Sequence, residues 1–214
     1  MTDRWLLLAS RNPGKLVELR RMLATAGLDE LTVTGLDALP GYTEPPETGA
    51  TFEENALIKA RAAATVAGLP ALADDSGLAV DALGGMPGVL SARWSGRHGD
   101  DAANLRLVLD QLADVPDERR GAEFVCAAAL VLPDGRAHVV TASWRGTLAR
   151  APRGSGGFGY DPIFVPDGDE RTSAQLDPPE KDARSHRGQA LAAMLPELGR
   201  LVGPTGGRER QDRR

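Results

Sequence analysis

Three features of the sequence predict an α/β fold built on a mixed sheet. The chain opens on a strand, a polar turn and a helix. Its middle pairs an alanine-rich helical stripe with short apolar runs. Its second half holds two apolar runs joined by Pro133-Asp134-Gly135, the signal of an antiparallel hairpin. A purely parallel sheet would not contain that hairpin.

Each element can be justified in order. Trp5 to Ser10 is a short apolar run with polar bounds, as in a buried strand. Asn12 can cap a helix that begins at Pro13, where a proline loses no hydrogen bond. Leu16, Leu19, Leu23 and Ala26 give that helix one apolar stripe, and Gly27 ends it. Leu31 to Thr34 is a second strand, and the proline-bearing stretch from Pro40 to Gly49 is a loop. Thr51 and Glu54 form a capping box. The helix they open turns Ala56, Ala60, Ala63, Ala64 and Ala67 inward, so a neighbour must approach closely. Asn55 and Lys59, four apart, share another face.

Gly68-Leu69-Pro70 stops that helix, and Ala71-Leu72-Ala73 is a short strand leading into Asp74-Asp75-Ser76-Gly77. A glycine-rich loop spans Gly84 to Gly99. Ala102 to Leu112 is a helix with Leu105, Val108, Leu109 and Leu112 on one side. Ala122 to Leu132 and Arg136 to Ser143 are the hairpin strands, and Thr147 to Ala151 is a further strand. After a glycine-rich loop from Arg153 to Asp161, His186 to Leu198 is the last helix, which Pro196 should kink or shorten.

Composition narrows the function classes. The 214 residues suffice for one large α/β domain. Only 4% are aromatic against 42% hydrophobic, so the core must be aliphatic and an aromatic outside it is informative. The formal charge of −5 gives no overall pull toward nucleic acid or anionic membranes; a phosphorylated ligand needs a local cluster of cations. Cys126, the one cysteine, lies in an apolar run and reads as core. It permits no internal disulfide and no cysteine-rich metal site, which fits a reducing cytoplasm. The run Trp5 to Ala9 is too short for a secretory signal, and no apolar stretch approaches the ~20 residues that span a bilayer. Residues 1–202 read as one domain and the Gly- and Arg-rich residues 203–214 as a disordered tail.

Four clusters could carry chemistry. Ser10-Arg11-Asn12-Pro13-Gly14-Lys15 lies between a strand and a helix, so it is either an anion-binding helix start or a plain capped turn. Glu47, ahead of the helix that carries Asn55 and Lys59, is a hard-cation ligand or part of a solvated face. Asp74-Asp75, two acids at the end of an apolar strand, repel unless a cation compensates. Asp75 with Glu47 would give Mg²⁺ the carboxylates it prefers beside substrate phosphate oxygens. Last, Phe158 stands among glycines in Gly156 to Asp161, with Lys181, His186 and Arg187 downstream. It is a stacking platform for a base or an exposed aromatic on a flexible loop.

These residues coincide with a family. The motifs are S-x-N-x-G-K at Ser10 to Lys15, E-T-G-x-T-F-x-E-N-A-x-x-K-A at Glu47 to Ala60, and A-D-D-S-G-L-x-V-D-x-L-G-G-x-P-G at Ala73 to Gly88. S-A-R-W-S-G at Ser91 to Gly96, G-G-F-G-Y-D-P-I-F at Gly156 to Phe164, and E-K through S-H-R-G-Q-A-L at Glu180 to Leu191 follow in order. From about Trp5 to Leu201 the chain resembles the inosine-triphosphate pyrophosphatase family, and its bacterial members that act on non-standard purine nucleotides above all. Two positions depart from the pattern: Arg11, where many relatives have glycine, and the Pro178-Pro179 pair just before Lys181.

The resemblance implies an elongated mixed sheet flanked by helices, two lobes with the nucleotide in a central cleft, and usually a homodimer. It implies that XTP, dITP and ITP are hydrolysed to the monophosphate and pyrophosphate; other base specificities, or nucleotide binding without catalysis, are the alternatives. Asp75, with Asp74 as the alternative, would be the general base, and Asp75 with Glu47 would hold Mg²⁺. Lys15 and Lys59 would lie along the triphosphate with Asn12 and the backbone of Ser10, Arg11, Pro13 and Gly14. Ser76 would touch the nucleotide and Phe158 would stack on the base. Gly159, Tyr160, Asp161, Lys181, His186 and Arg187 would line the base pocket. Donors from His186 or Arg187 would accept a 6-oxo group and oppose the 6-amino group of adenine.

Overall fold

The computed structural model describes residues 4–202 and holds one six-stranded sheet among them. Strand β1 (Arg4–Leu8) leads through Asn12 into helix α1 (Pro13–Thr25). Strand β2 (Leu31–Gly35) follows, then α2 (Phe52–Ala67), β3 (Ala71–Val80) and α3 (Asp101–Gln111). Strands β4 (Gly121–Val131) and β5 (Ala137–Leu148) make the hairpin, followed by β6 (Phe164–Pro166), α4 (Pro178–Arg184) and α5 (His186–Val202). The sheet order is β2-β1-β3-β4-β5-β6. β1 is parallel to β2 and β3, and the remaining pairs are antiparallel. The mixed sheet flanked by helices is the predicted class. Residues 203–214, expected to form a disordered tail, lie outside the described residues.

Side-chain size decides how the layers pack. On one face of the sheet Leu6, Leu8, Leu72 and Leu130 meet Leu19 and Leu23 of α1 and Leu191, Met194 and Leu198 of α5. On the other face α2 lies close, because Ala56, Ala60, Ala63 and Ala64 meet Ala71, Ala73, Ala127 and Ala129. A third apolar cluster sits where β3 and β4 continue past these helices, around Leu78, Val80, Phe124, Trp144 and Phe164 with Leu105, Val108 and Leu112 of α3 and its end. In agreement with the sparse aromatics, the buried residues of the first and second of these packing zones are aliphatic.

Five expectations need correction. The acids do not end a short strand: β3 runs unbroken from Ala71 to Val80, paired with β4 throughout. The two strands expected at Arg136–Ser143 and Thr147–Ala151 are one strand, β5. Both misreadings come from glycines inside strands. A Cβ on Gly77 would come within 2.5 Å of the Gly88 carbonyl oxygen, and one on Gly146 within 2.3 Å of that of Val165. These glycines admit a neighbouring backbone rather than break a strand. The proline pair opens an unforeseen helix, α4: Asp177 caps it by accepting from Glu180 N at 2.8 Å, and Pro178 takes the first position, where no donor is needed. Helix α5 continues through Pro196 to Val202, because Met194 and Leu198 are anchored on the sheet. Finally, the loop from Gly84 to Gly99 contains a short 3₁₀ helix, Gly88–Arg93.

Candidate active site

The site forms where β1 and β3 part. Only Leu7 and Leu8 of β1 pair with β3, at Ala71 and Leu72, and the last bond is Ala9 N to Leu72 O at 2.7 Å. Farther along, Leu78 N donates to Ser91 Oγ at 2.9 Å and Val80 N to Met86 O at 3.1 Å. The edge of β3 between these ties carries Asp74, Asp75 and Ser76. Side chains alternate along a strand, so Asp74 and Ser76 face α1 and α5, whereas Asp75 faces α2.

On the α2 side, Asp75 is bound by Lys59 Nζ at 2.9 Å and by Asn55 Nδ2 at 3.2 Å. The same ammonium reaches Glu47 Oε1 at 3.0 Å, and Arg93 Nη1 holds the other oxygen of Glu47 at 3.1 Å. Asn55 also fixes the preceding loop, accepting from Gly49 N at 2.8 Å. The capping box forms in modified shape: Thr51 accepts from Glu54 N at 3.2 Å, while Glu54 reaches one residue further back, to Ala50 N at 2.6 Å. Burial raises the proton affinity of Asp75, and the Glu47 charge adds to it, against Lys59 and Asn55, so its pKa lies above the ordinary carboxylate value. Burial would raise Glu47 too, but Lys59 and Arg93 outweigh it and hold Glu47 below that value. Burial opposes the Lys59 charge, yet Asp75 and Glu47 keep its pKa above normal.

On the opposite face, Lys15 Nζ grips both oxygens of Asp74, at 2.9 and 2.8 Å. Arg187 donates from Nε to Asp74 at 3.2 Å and from Nη2 to Ser76 Oγ at 3.2 Å, and its Nη1 lies 3.9 Å from Glu18. Burial would raise the Asp74 pKa, but the Lys15 and Arg187 charges hold it well below the usual carboxylate range. Each face of β3 therefore carries two cations and two carboxylates.

Beside this second set lies a cleft of about 380 Å³. Asn12, Gly14, Lys15, Ser76, Lys181, His186 and Arg187 line it, together with the glycine-rich segment Gly156 to Asp161. Phe158 is half exposed, with Arg187 Cζ 5.3 Å and Lys181 Nζ 5.7 Å from its ring centre. His186 is buried, its ring stacked on Phe124 at 4.8 Å, and its Nδ1 has no hydrogen-bond partner. Burial, then the charges of Arg187 and Lys181, push its pKa well below the imidazole norm, so the ring is neutral at pH 7.

Not every expected contact residue points at the cleft. Arg11 turns away, donating to Glu44 at 2.8 Å and to the Tyr42 carbonyl at 2.8 Å. Ser10 Oγ accepts from Asn12 N at 3.1 Å, and Pro13 is the first residue of α1. Tyr160 is buried, its hydroxyl donating to Ser91 O at 2.8 Å. Asp161 lines the cleft, but its oxygens are occupied by Ser173 Oγ at 2.7 Å, Phe158 N at 2.8 Å and the Lys181 ammonium. Tyr160 and Asp161 shape the wall; their polar atoms are already engaged. Glu47, Lys59 and Asp75 lie outside the cleft, on the far face of β3.

The sequence reading missed Glu18, Arg93 and Phe124 as members of the site. Glu18 had a signal, three residues beyond Lys15 on the same helix, and Arg93 had one in S-A-R-W-S-G. Phe124 had none, because only sheet packing brings it under His186.

Known proteins are similar to this chain in sequence and fold. A family model described as the Ham1 family matches residues 6–197. A dITP/XTP pyrophosphatase of Nocardia farcinica is 64% identical over 205 residues, covering 96% of this chain and all of that one. One from Mycobacterium tuberculosis is 65% identical over 197 residues, covering 92% and 96%. Among solved structures, a nucleoside-triphosphatase (dITP/XTP pyrophosphatase) from Mycobacterium abscessus is 63% identical, with a TM-score of 0.75 over 91% of this chain and 99% of that one. A HAM1 protein from Coxiella burnetii is 43% identical, with a TM-score of 0.83 over 92% and 98%. With nearly the whole described chain inside the match, this protein belongs to the Ham1 family, the inosine-triphosphate pyrophosphatase family that its motifs resemble.

Proposed function

We propose that this chain hydrolyses the non-standard purine nucleoside triphosphates XTP, dITP and ITP to the nucleoside monophosphate and pyrophosphate. The observation that carries the reading is the join at β3. A cleft with an aromatic platform and a neutral buried histidine opens beside a strand edge flanked by Lys15 on one face and Lys59 on the other. The base occupies the cleft between Phe158 and the His186–Arg187 end, and the phosphates cross the open edge of β3. Lys15 and Lys59, each now neutralised by a carboxylate, stabilise charge on the departing pyrophosphate.

The reaction needs a base and in-line positioning more than covalent chemistry. Asp75 suits the base. Asp74 is saturated by Lys15 and Arg187 and has little proton affinity, whereas Asp75 binds a proton more readily than an ordinary carboxylate. A water oriented by Asp75 attacks phosphorus, and its proton passes to Asp75 Oδ. Asp74 fixes the Lys15 and Arg187 side chains.

The donor set also fits Mg²⁺. Among the described residues no group of three or more His, Cys, Asp and Glu is arranged to hold a metal. Mg²⁺, however, characteristically takes one or two carboxylates and completes its shell with water and substrate phosphates. Glu47 and Asp75 already converge on one positive charge, the Lys59 ammonium, and would be those two carboxylates. When bound, the ion would neutralise phosphate oxygens and polarise the attacked phosphorus.

Base choice follows from the donors that line the cleft. The Arg187 guanidinium can only donate, so a 6-oxo acceptor is satisfied beside it and a 6-amino donor is not, with the neutral His186 ring completing that wall. The family resemblance supports reading residues 1–202 as one two-lobed domain with the site between the lobes. The family resemblance further supports a homodimer, and the lone buried thiol suits a reducing cytoplasm. Among the described residues no helix is long and apolar enough to cross a membrane.

Pyrophosphate release from dITP, XTP, dGTP and dATP, each with Mg²⁺ and with EDTA, tests this reading. Fast, Mg²⁺-dependent release from dITP and XTP alone is the expected result; dATP is refused at the 6-position, and guanine, which shares the 6-oxo group, must be refused at its 2-amino group. Equal turnover of all four would discard the roles given to His186 and Arg187, and no turnover would leave a nucleotide-binding protein.

A further inference from the structure

The segment that carries Phe158 is tied at its base and spans a gap at its tip. Arg153 N donates to Pro162 O at 2.8 Å, and Gly156 N to Ala174 O at 3.0 Å. Between the tip and α3 lies a second cavity of about 500 Å³, walled by Ala102, Leu105, Leu109, Pro152 and Pro162. Tyr160, just after Gly159, packs into the apolar cluster with Leu105 and Val108, whereas the Phe158 side of the tip is separated from α3 by this cavity. Among the described residues, the hydrogen bond that crosses this gap from α3 is Gly159 N to Asp101 Oδ2, at 2.9 Å.

This bond has a counterpart. Phe158 N donates to Asp161 Oδ2 at 2.8 Å. The peptide groups before and after the Phe158 Cα are thus each pinned by a carboxylate, one from the loop itself and one from α3. Gly157 and Gly159 on either side adopt φ of +72° and +60°, where backbone rotation is least restrained by a side chain. With swivels flanking the ring and a cavity behind it, the direction of Phe158 depends on both pins. Asp161 is buried and multiply bonded, so its loss would disturb the fold. Asp101 is exposed, and its loss would not strand a buried donor.

We propose that Asp101 is the positioning residue that holds the Phe158 ring at the angle needed to stack on the base. The proposal rests on the reading that the cleft takes a purine. It predicts that Asp101 acts on substrate binding through Phe158 and leaves the phosphate chemistry alone.

Steady-state dITP hydrolysis tests it, using the wild type, Asp101→Ala, Asp101→Asn, Phe158→Ala and the Asp101→Ala/Phe158→Ala double variant. Asp101→Ala should raise KM about five- to ten-fold with kcat within about two-fold, the scale of one hydrogen bond to a charged acceptor. Asp101→Asn keeps an acceptor oxygen and should recover most of that loss. Phe158→Ala should raise KM at least as far, and Asp101→Ala should add nothing in its background. Additive effects would overturn the proposal in favour of a direct contact between Asp101 and the nucleotide, and so would an unchanged KM or a fall in kcat alone.

A second readout is independent of turnover. Amide hydrogen exchange at Gly159 in the ligand-free protein should be faster in Asp101→Ala than in the wild type; equal protection would sink the proposal. Absence of pyrophosphate release by the wild type would instead refute the function proposed above, and the exchange result would still decide whether Asp101 holds the loop.

Discussion

Asp74 and Asp75 are neighbours in the chain but face opposite sides of β3, the first bound by Lys15 at 2.8 Å and the second by Lys59 at 2.9 Å. Two adjacent carboxylates are thus separated by the sheet and neutralised by different cations. Their repulsion is relieved without a shared ion, and their proton affinities diverge: Asp74 lies below the ordinary carboxylate value and Asp75 above it.

That division gives the first prediction. Asp75→Asn removes the base and should lower kcat for dITP by about 10²–10⁴, the usual contribution of a positioned general base. Circular dichroism should show the fold retained, because Lys59 keeps Glu47 as a partner. Near-wild-type turnover would remove Asp75 from the mechanism.

Asp74 makes a claim about stability. Its folded pKa lies below the ordinary value of 3.8, so its contribution is fully present above pH 3.8 and is lost as pH falls through the folded pKa. Asp74→Asn leaves Lys15 and the buried Arg187 without their main counter-charge, and should cost about 3 kcal/mol at pH 7. Urea denaturation of both proteins between pH 7 and pH 3 should show the gap narrowing in acid. A gap of constant size would contradict the assignment.

Gly77 permits the close approach of the loop that carries Ser91. In Gly77→Ala the new methyl would meet Ser91 Oγ at 2.4 Å and the Gly88 carbonyl at 2.5 Å. Backbone cannot yield as a flexible side chain does, so a loss of about 1–3 kcal/mol is expected from overpacking. Because Ser76 and Asp75 precede Gly77 on the same strand, dITP turnover should fall as well. A stable, fully active variant would show that the loop moves aside freely.

Cys126 lies on β4 under the site, and burial, reinforced by the Asp74 charge, pushes its thiol up to about 12. At pH 8 it is protonated and enclosed, so it should not react with a thiol reagent in the native protein and should titrate fully after denaturation. Rapid native reaction would mean that β4 is accessible from the cleft.

Much of the fold was legible in local sequence. Asn12 before Pro13 marked the start of α1, Thr51 and Glu54 that of α2, and Pro133-Asp134-Gly135 the hairpin turn. The alanine stripe of α2 signalled close packing, and an alanine surface receives it. Strand lengths were less legible, because Gly77 and Gly146 look the same in sequence whether they end a strand or admit a neighbour. The ordered motifs pointed to Lys15, Glu47, Lys59, Asp75, Phe158, His186 and Arg187. They also pointed to Asp161, which lines the cleft with its oxygens engaged within the wall, and to the backbone of Arg11, whose side chain turns to Glu44.

The sequence by itself determined the starts of α1, α2 and α5, the mixed character of the sheet, the family and the types of residue available for phosphate chemistry, because each depends on spacing over a few positions. Only the tertiary structure decided that two adjacent acids face opposite sides of β3, which cations each one meets, and that Phe124 lies beneath His186. Those relationships join residues far apart in the chain, as Arg187 joins Asp74. They exist only once β3 has taken its register and turned alternate side chains to opposite faces.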